Sequence, residues 1–135
     1  VNVNRNTGTF VAYCWAEVHG FSRFGTYTGN GDADGPFAWC GFKPAWVMVK
    51  PESRSDGWIV WDTKRNTYNL TNLYLQAGSS NQEFTATVRV IDILSNGFKV
   101  KNGHNSVNNS GDFYIYMAFA DQPFGGDGVA PATAR

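Results

Sequence analysis

Apolar residues recur at every second position along much of this chain and almost nowhere at the three-to-four spacing of a helix. Successive side chains on an extended strand point to opposite faces, so this period commits the chain to β-sheet. DFYIYMAFA, residues 112–120, is the strongest case. Phe113, Ile115, Met117 and Phe119 share one parity; Tyr114, Tyr116 and two alanines share the other. With both faces apolar, the segment predicts a central strand, or one packed against a partner subunit.

TFVAYCWAEV, residues 9–18, alternates in the same way. Phe10, Ala12, Cys14, Ala16 and Val18 are expected to form a core face, with Tyr13, Trp15 and Glu17 opposite. FAWCGF, AWVMVK and GWIVWD are further short runs, separated by Gly, Pro, Asn, Asp and Ser, and PESRSDG reads as a polar hairpin loop. In IDILSNGFKVK an Asn-Gly pair predicts a type I′ hairpin with Ser95 opposite Phe98 and Ile93 opposite Val100. Ile91, Ile93, Phe98 and Val100 then share one face. Val88 and Val90 fall on the other parity, which predicts a bulge or a change of sheet near residue 90. Residues 64–78 place Leu70, Leu73 and Tyr74 at helical spacing, but their Asn-rich composition favours a structured loop over a helical turn. The expected fold is all-β: an antiparallel, jelly-roll-like β-sandwich with short strands and long polar loops. It occupies one domain, residues 1–124, followed by an extended or mobile Gly/Pro/Ala-rich tail at 125–135.

A chain of 135 residues can bury a core large enough to fold without disulfides or metals. Cys14 and Cys40 could pair, but their apolar surroundings favour two buried free thiols. The 11 basic and 11 acidic residues cancel, and the basic ones are scattered singly, so no nucleic-acid partner is expected. No apolar run is long enough to span a bilayer, so no membrane insertion is expected. The chain starts at Val1 with neither a Met nor a signal-peptide pattern, which predicts a fragment or a processed piece.

GNGDADGPF raises the question of a calcium loop. Counted from Asn30, residues Asp32, Asp34 and Gly35 occupy the third, fifth and sixth positions of an EF-hand loop, but the twelfth is Gly41 where a bidentate Glu is required. The favoured reading is a turn whose Asn and Asp side chains bond their own backbone; a weak calcium site is the alternative. Glu17, Asp32, Asp34, Asp62, Glu83 and Asp92 are the carboxylates available for glycoside hydrolysis, and nothing in their spacing pairs them. His19 and His104 belong to no triad order, so no catalytic residue, metal or cofactor is expected. Trp15, Trp39, Trp46, Trp58 and Trp61 all fall in expected strands, as core or interface residues. Tyr68 and Tyr74, in the Asn-rich loop, could stack on a sugar face or could cap the edge of the core. NLT at 69–71 and NNS at 108–110 match the glycosylation pattern, a match that arises readily by chance.

FVAYCWAEVHGFSRFGTYTGNG, GPF, GFKPAWVMVKP, WIVWDTKRNTYN, IDILSNGFKV and YIYMAFADQPF, in this order, resemble a domain near the C-termini of bacteriophage tail fibre and related virion surface proteins. The resemblance covers residues 9–124 and brings no catalytic motif. It implies a virion location, assembly as a homotrimer, contact with other virion proteins, and binding of host-surface glycan. The family pattern often has a small residue at the position of Asp32, which argues against a required metal. Loop position and chemistry nominate Asp32, Asp34, Tyr68, Asn69, Tyr74, His104 and Asn105 as ligand contacts. Two other readings stand beside the adhesion one: a purely structural virion domain, and a depolymerase carrying a carboxylate pair.

Overall fold

The computed structural model describes residues 5–124, so the expected tail at 125–135 lies outside the described residues. Nine strands run β1 (Ser22–Thr28), β2 (Phe37–Trp39), β3 (Pro44–Pro51), β4 (Trp58–Asp62), β5 (Leu73–Ala77), β6 (Phe84–Thr85), β7 (Ile91–Leu94), β8 (Gly97–Val100) and β9 (Phe113–Ala120). One short helix, α1 (Asn105–Asn108), precedes β9. The strands form two antiparallel sheets, a large one ordered β1-β9-β3-β4-β5-β6 and a small one ordered β2-β8-β7. This is the all-β sandwich that the period-2 pattern requires.

The core lies between the sheets. From the large sheet it takes Tyr27, Val47, Val49, Ile59, Trp61, Tyr74, Tyr114, Tyr116, Ala118 and Ala120; from the small sheet Ala38, Ile91, Ile93, Phe98 and Val100. β9 is central, flanked by β1 and β3, and it turns its Tyr/Ala parity inward. The more apolar parity faces out: Phe113 is 56 % and Ile115 38 % exposed. Near residue 90 the chain changes sheets, β6 pairing with β5 and β7 with β8. That change places Val90 and Ile91 both in buried positions.

Four expectations are corrected. Residues 9–18 form no strand: apart from an isolated bridge between Val18 and Ser22 they stay out of the sheets, and their apolar side chains are exposed. Cys14 is accordingly exposed; Cys40 is buried, and both are free thiols. Residues 73–77 are a strand, because Tyr74 pairs across from Phe84 and stacks on its ring, a tertiary contact that overrides the Asn-rich local composition.

The β7–β8 hairpin also has a different register. Ile91 faces Val100 and Ile93 faces Phe98, so Ser95 and Asn96 form the turn and Leu94 pairs with Gly97. A shift of two residues preserves the shared face. Gly97 keeps a negative φ, and among the described non-glycine residues only Thr7 has a positive one, so the turn is not type I′. What requires glycine here is the passing strand β2: a Cβ on Gly97 would collide with the Ala38 carbonyl oxygen. The Asn96 carbonyl then accepts from the backbone N–H groups of Cys40 and Gly41, fastening the turn beneath the end of β2.

Gly97→Ala should therefore lower the unfolding free energy by about 1–3 kcal/mol, the range for forced overpacking. Chemical denaturation checks this; an unchanged midpoint would show that β2 yields without cost.

Candidate functional site

The expected ligand contacts divide between two places on the surface and one in the core. The first place is a knot of loops. Asn30 Oδ1 accepts from the Asp32 N–H at 3.0 Å, and Asp32 Oδ1 accepts from the Asp34 N–H at 2.9 Å. These are the Asx turns anticipated for GNGDADG. Lys99 Nζ lies 2.9 Å from the Asp34 carboxylate and holds its pKa below the usual carboxylate range. The Asp34 charge is thus already paired with an ammonium. Among the described residues no group of three or more His, Cys, Asp or Glu is arranged to hold a metal ion.

Asn108, fully buried in α1, ties the knot. Its Oδ1 accepts from the Asn30 N–H, and its Nδ2 reaches Asn30 Oδ1, the Asp32 carbonyl and the Asn102 carbonyl, all within 2.9 Å. The NNS match therefore presents no accessible acceptor. His104 caps α1: its Nδ1 accepts from the Ser106 N–H, while its own N–H donates to Asn102 Oδ1. Burial, then the nearby positive charge of Arg89, pushes the His104 pKa down, which keeps the capping nitrogen unprotonated. Asn105 is exposed, but its carbonyl accepts from the Tyr114 hydroxyl. Asp32, Asp34, His104 and Asn105 thus come together: one Asp32 oxygen, His104 Nδ1 and the Asn105 carbonyl serve the loops, Asp34 pairs with Lys99, and the Asn105 side chain is exposed.

Tyr74 is not a loop platform. It lies in β5, 3 % exposed, and its hydroxyl accepts from Arg89. Arg89 also donates to Ser106 Oγ, which contacts His104 Nδ1. Tyr74 and His104 are therefore the two ends of one hydrogen-bonded chain through the fold.

The second place is a cleft of about 230 Å³ lined by Lys43, Thr63, Asn66, Thr67, Tyr68, Asn69, Thr71 and Ile93. Tyr68 is 84 % exposed beside it. The walls are built by amides. Asn66 Oδ1 accepts from the N–H groups of Asn72 and Leu73, and the Asn69 amide bonds both the N–H and the carbonyl of Ile93. Those bonds spend the Asn69 side chain on structure. A ligand would meet the Tyr68 ring, Thr63, Thr67 and the Lys43 ammonium, which is paired with Asp121 at 3.2 Å, and the lining itself contains no carboxylate. Composition singled out Tyr68 and Asn69 but not their neighbour Thr67, nor Lys43 and Thr63, which reach the cleft from the ends of β3 and β4 with no local signal.

The candidate carboxylates are held by cations: Glu17 by Arg23, Asp92 by Lys101, and both Asp62 and Glu83 by Arg65. Burial pushes the Cys40 thiol up to about 12, which leaves it a packing group rather than a nucleophile.

Two outcomes follow. Asn108→Asp should cost about 3 kcal/mol or more, because it sets an anion against three oxygens. The loss should shrink as falling pH restores a proton to donate, and denaturation at several pH values reads both effects. For His104, a lowered folded pKa means that the unfolded chain binds the proton more readily. Stability should fall as pH drops below the ordinary value of 6.5, and His104→Asn, which keeps a capping acceptor, should flatten that dependence.

The family model for a domain of unknown function (DUF7483) matches residues 1–123, and the chain belongs to that family. No curated protein and no solved structure matches the chain.

Proposed function

We propose that this member of the DUF7483 family is a non-enzymatic domain of a bacteriophage tail fibre or virion surface, binding a host-surface saccharide during adsorption. The observation that carries the binding reading is the Tyr68 ring, 84 % exposed at the rim of a cleft lined by hydroxyls, amides and an ammonium. An aromatic face packs on the C–H face of a sugar ring, and hydroxyls and amides supply the directional bonds that fix its orientation. A cleft this small holds one or two sugar units, so useful affinity requires several copies presented together; a homotrimer would supply them. The ordered resemblance of residues 9–124 to phage tail domains supports the virion setting. The absence of a carboxylate from the cleft lining favours holding a saccharide over cleaving one.

A second reading, a structural domain that contacts only other virion proteins, is favoured by a different observation. Phe113 and Ile115 are exposed on the outer face of the large sheet, where Phe24, Trp46, Met48, Trp58 and Met117 are only partly covered. A patch of this kind marks a protein contact more often than a sugar site.

The test is retention on a panel of bacterial surface polysaccharides, with the eluate assayed for released oligosaccharide. Binding without release is expected. Tyr68→Ala should weaken retention at least tenfold, about 1.4 kcal/mol. It should leave stability within about 0.5 kcal/mol, as for an exposed side chain. Failure to bind any member of the panel by a folded oligomer would favour the structural reading, and released fragments would overturn the non-enzymatic one.

A further inference from the structure

Residues 9–17 carry the alternating pattern of a strand yet sit in no sheet. Phe10 is 49 %, Val11 77 %, Tyr13 77 % and Trp15 56 % exposed, and Tyr13 and Trp15 stack on each other at 6.2 Å. Four large apolar side chains within six residues are costly to leave in water, at roughly 25 cal/mol for each Å². The same molecule has an unfilled place for a strand. β1 is the end strand of the large sheet, bonded to β9 on one side only, and its other edge offers backbone N–H and C=O groups. Inward from that edge, on the outer face of the sheet, an apolar groove of about 400 Å³ lies between Phe24 and Thr26 of β1, Ile115 and Met117 of β9 and Trp58 of β4.

The arm does not fill its own chain's edge, and the turn that joins it to β1 explains why. Ser22 Oγ accepts from the Val18 N–H and donates to the Ala16 carbonyl, both at 2.9 Å. A side chain thereby takes the two arm groups that would otherwise extend the Val18–Ser22 bridge into a hairpin ladder. Upstream of Ala16 the arm leaves the edge.

We propose that residues 9–17 of one chain add as an edge strand to β1 of a second copy, placing Val11, Tyr13 and Trp15 on the side of that copy's apolar outer face. The occupant is this chain's own segment, because it has the strand pattern and the unsatisfied apolar surface that the site lacks. Val11, Tyr13 and Trp15 share one parity and lie on the outer-face side beside Phe24 and Thr26, while the small Ala12, Cys14 and Ala16 of the other parity turn to the inner side. Strand addition satisfies the backbone groups of both partners and covers the exposed rings in one step. Reciprocal exchange gives a dimer; head-to-tail exchange closed on itself gives a ring such as a trimer. The inference rests on the oligomeric part of the proposed function and not on saccharide binding.

The test measures mass by light scattering in reducing buffer, since Cys14 is exposed. The unaltered chain is expected to form a defined oligomer. Trp15→Asp damages the donor and Thr26→Lys, an exposed position on β1, damages the acceptor; each should weaken association at least tenfold while far-ultraviolet circular dichroism stays unchanged. Mixing the two variants should restore a one-to-one pair, because one intact arm then meets one intact edge. A monomeric unaltered chain would overturn both this inference and the oligomeric reading. Variants that keep the full oligomer, or a mixture that fails to pair, would overturn the exchange alone and leave oligomerisation standing.

Discussion

The tyrosine hydroxyls of the large sheet's inner face fix the rest of this molecule. Tyr27 and Tyr114 stack at 5.0 Å in the middle of the core, and each ends in a hydroxyl that cannot remain unpaired there. Tyr27 donates to the Val107 carbonyl; Tyr114 donates to the Asn105 carbonyl and accepts from the Asn109 N–H. Those partners belong to α1 and the residue after it, so the only helical turn among the described residues is placed by what the sheet's tyrosines need. Burial pushes both tyrosine pKa values up, Tyr27 strongly, which keeps the hydroxyls available as donors. Once α1 is placed, Asn108 holds the 30–35 loop, and the knot containing Asp32, Asp34, His104 and Asn105 follows.

This arrangement separates two roles that the loops could share. In the knot, Asn108, the Asp32 carboxylate and the His104 ring bond other loop groups, and groups so engaged have less left for a ligand. In the cleft, by contrast, amides build the walls while the Tyr68 ring is exposed at the rim, with Thr63, Thr67 and the Asp121-paired Lys43 in the lining. That difference, rather than loop composition, is why Tyr68 carries the functional proposal and His104 does not. The relay from Tyr74 through Arg89 and Ser106 to His104 adds a link between the large sheet and the knot, so protonation of His104 acts on fold stability.

How much of this was legible in the sequence depends on the range of the interaction. β9, β3, β4 and the shared face of the hairpin follow from period 2, because alternation is a local property. The Asx turns at 30–34 were legible for the same reason: their bonds span two residues. The hairpin register was misread because Asn-Gly signals a turn type by its own geometry, whereas Gly97 answers to Ala38, about sixty positions upstream. Tyr74 was placed in a loop because neither its partner Phe84 nor its bond to Arg89 leaves a local mark. The cleft was half legible, since Tyr68 and Asn69 sit in a conspicuous Asn-rich stretch while Lys43 and Thr63 arrive from other strands' ends.

The most instructive miss is residues 9–18, where the pattern is that of a strand and the fold shows none. A period-2 pattern states only that a segment can lie against an apolar face with its backbone paired. It does not state in which chain that face and that edge belong. The large sheet has an apolar outer face and an open end at β1, and Ser22 binds the arm groups that would let the chain close that edge on itself. One sequence therefore carries both a strand pattern without a sheet and a sheet edge without a strand, and the proposed pairing between copies would satisfy the two together. Under the proposed exchange, the alternation in residues 9–18 would report on a pairing that the isolated chain does not make.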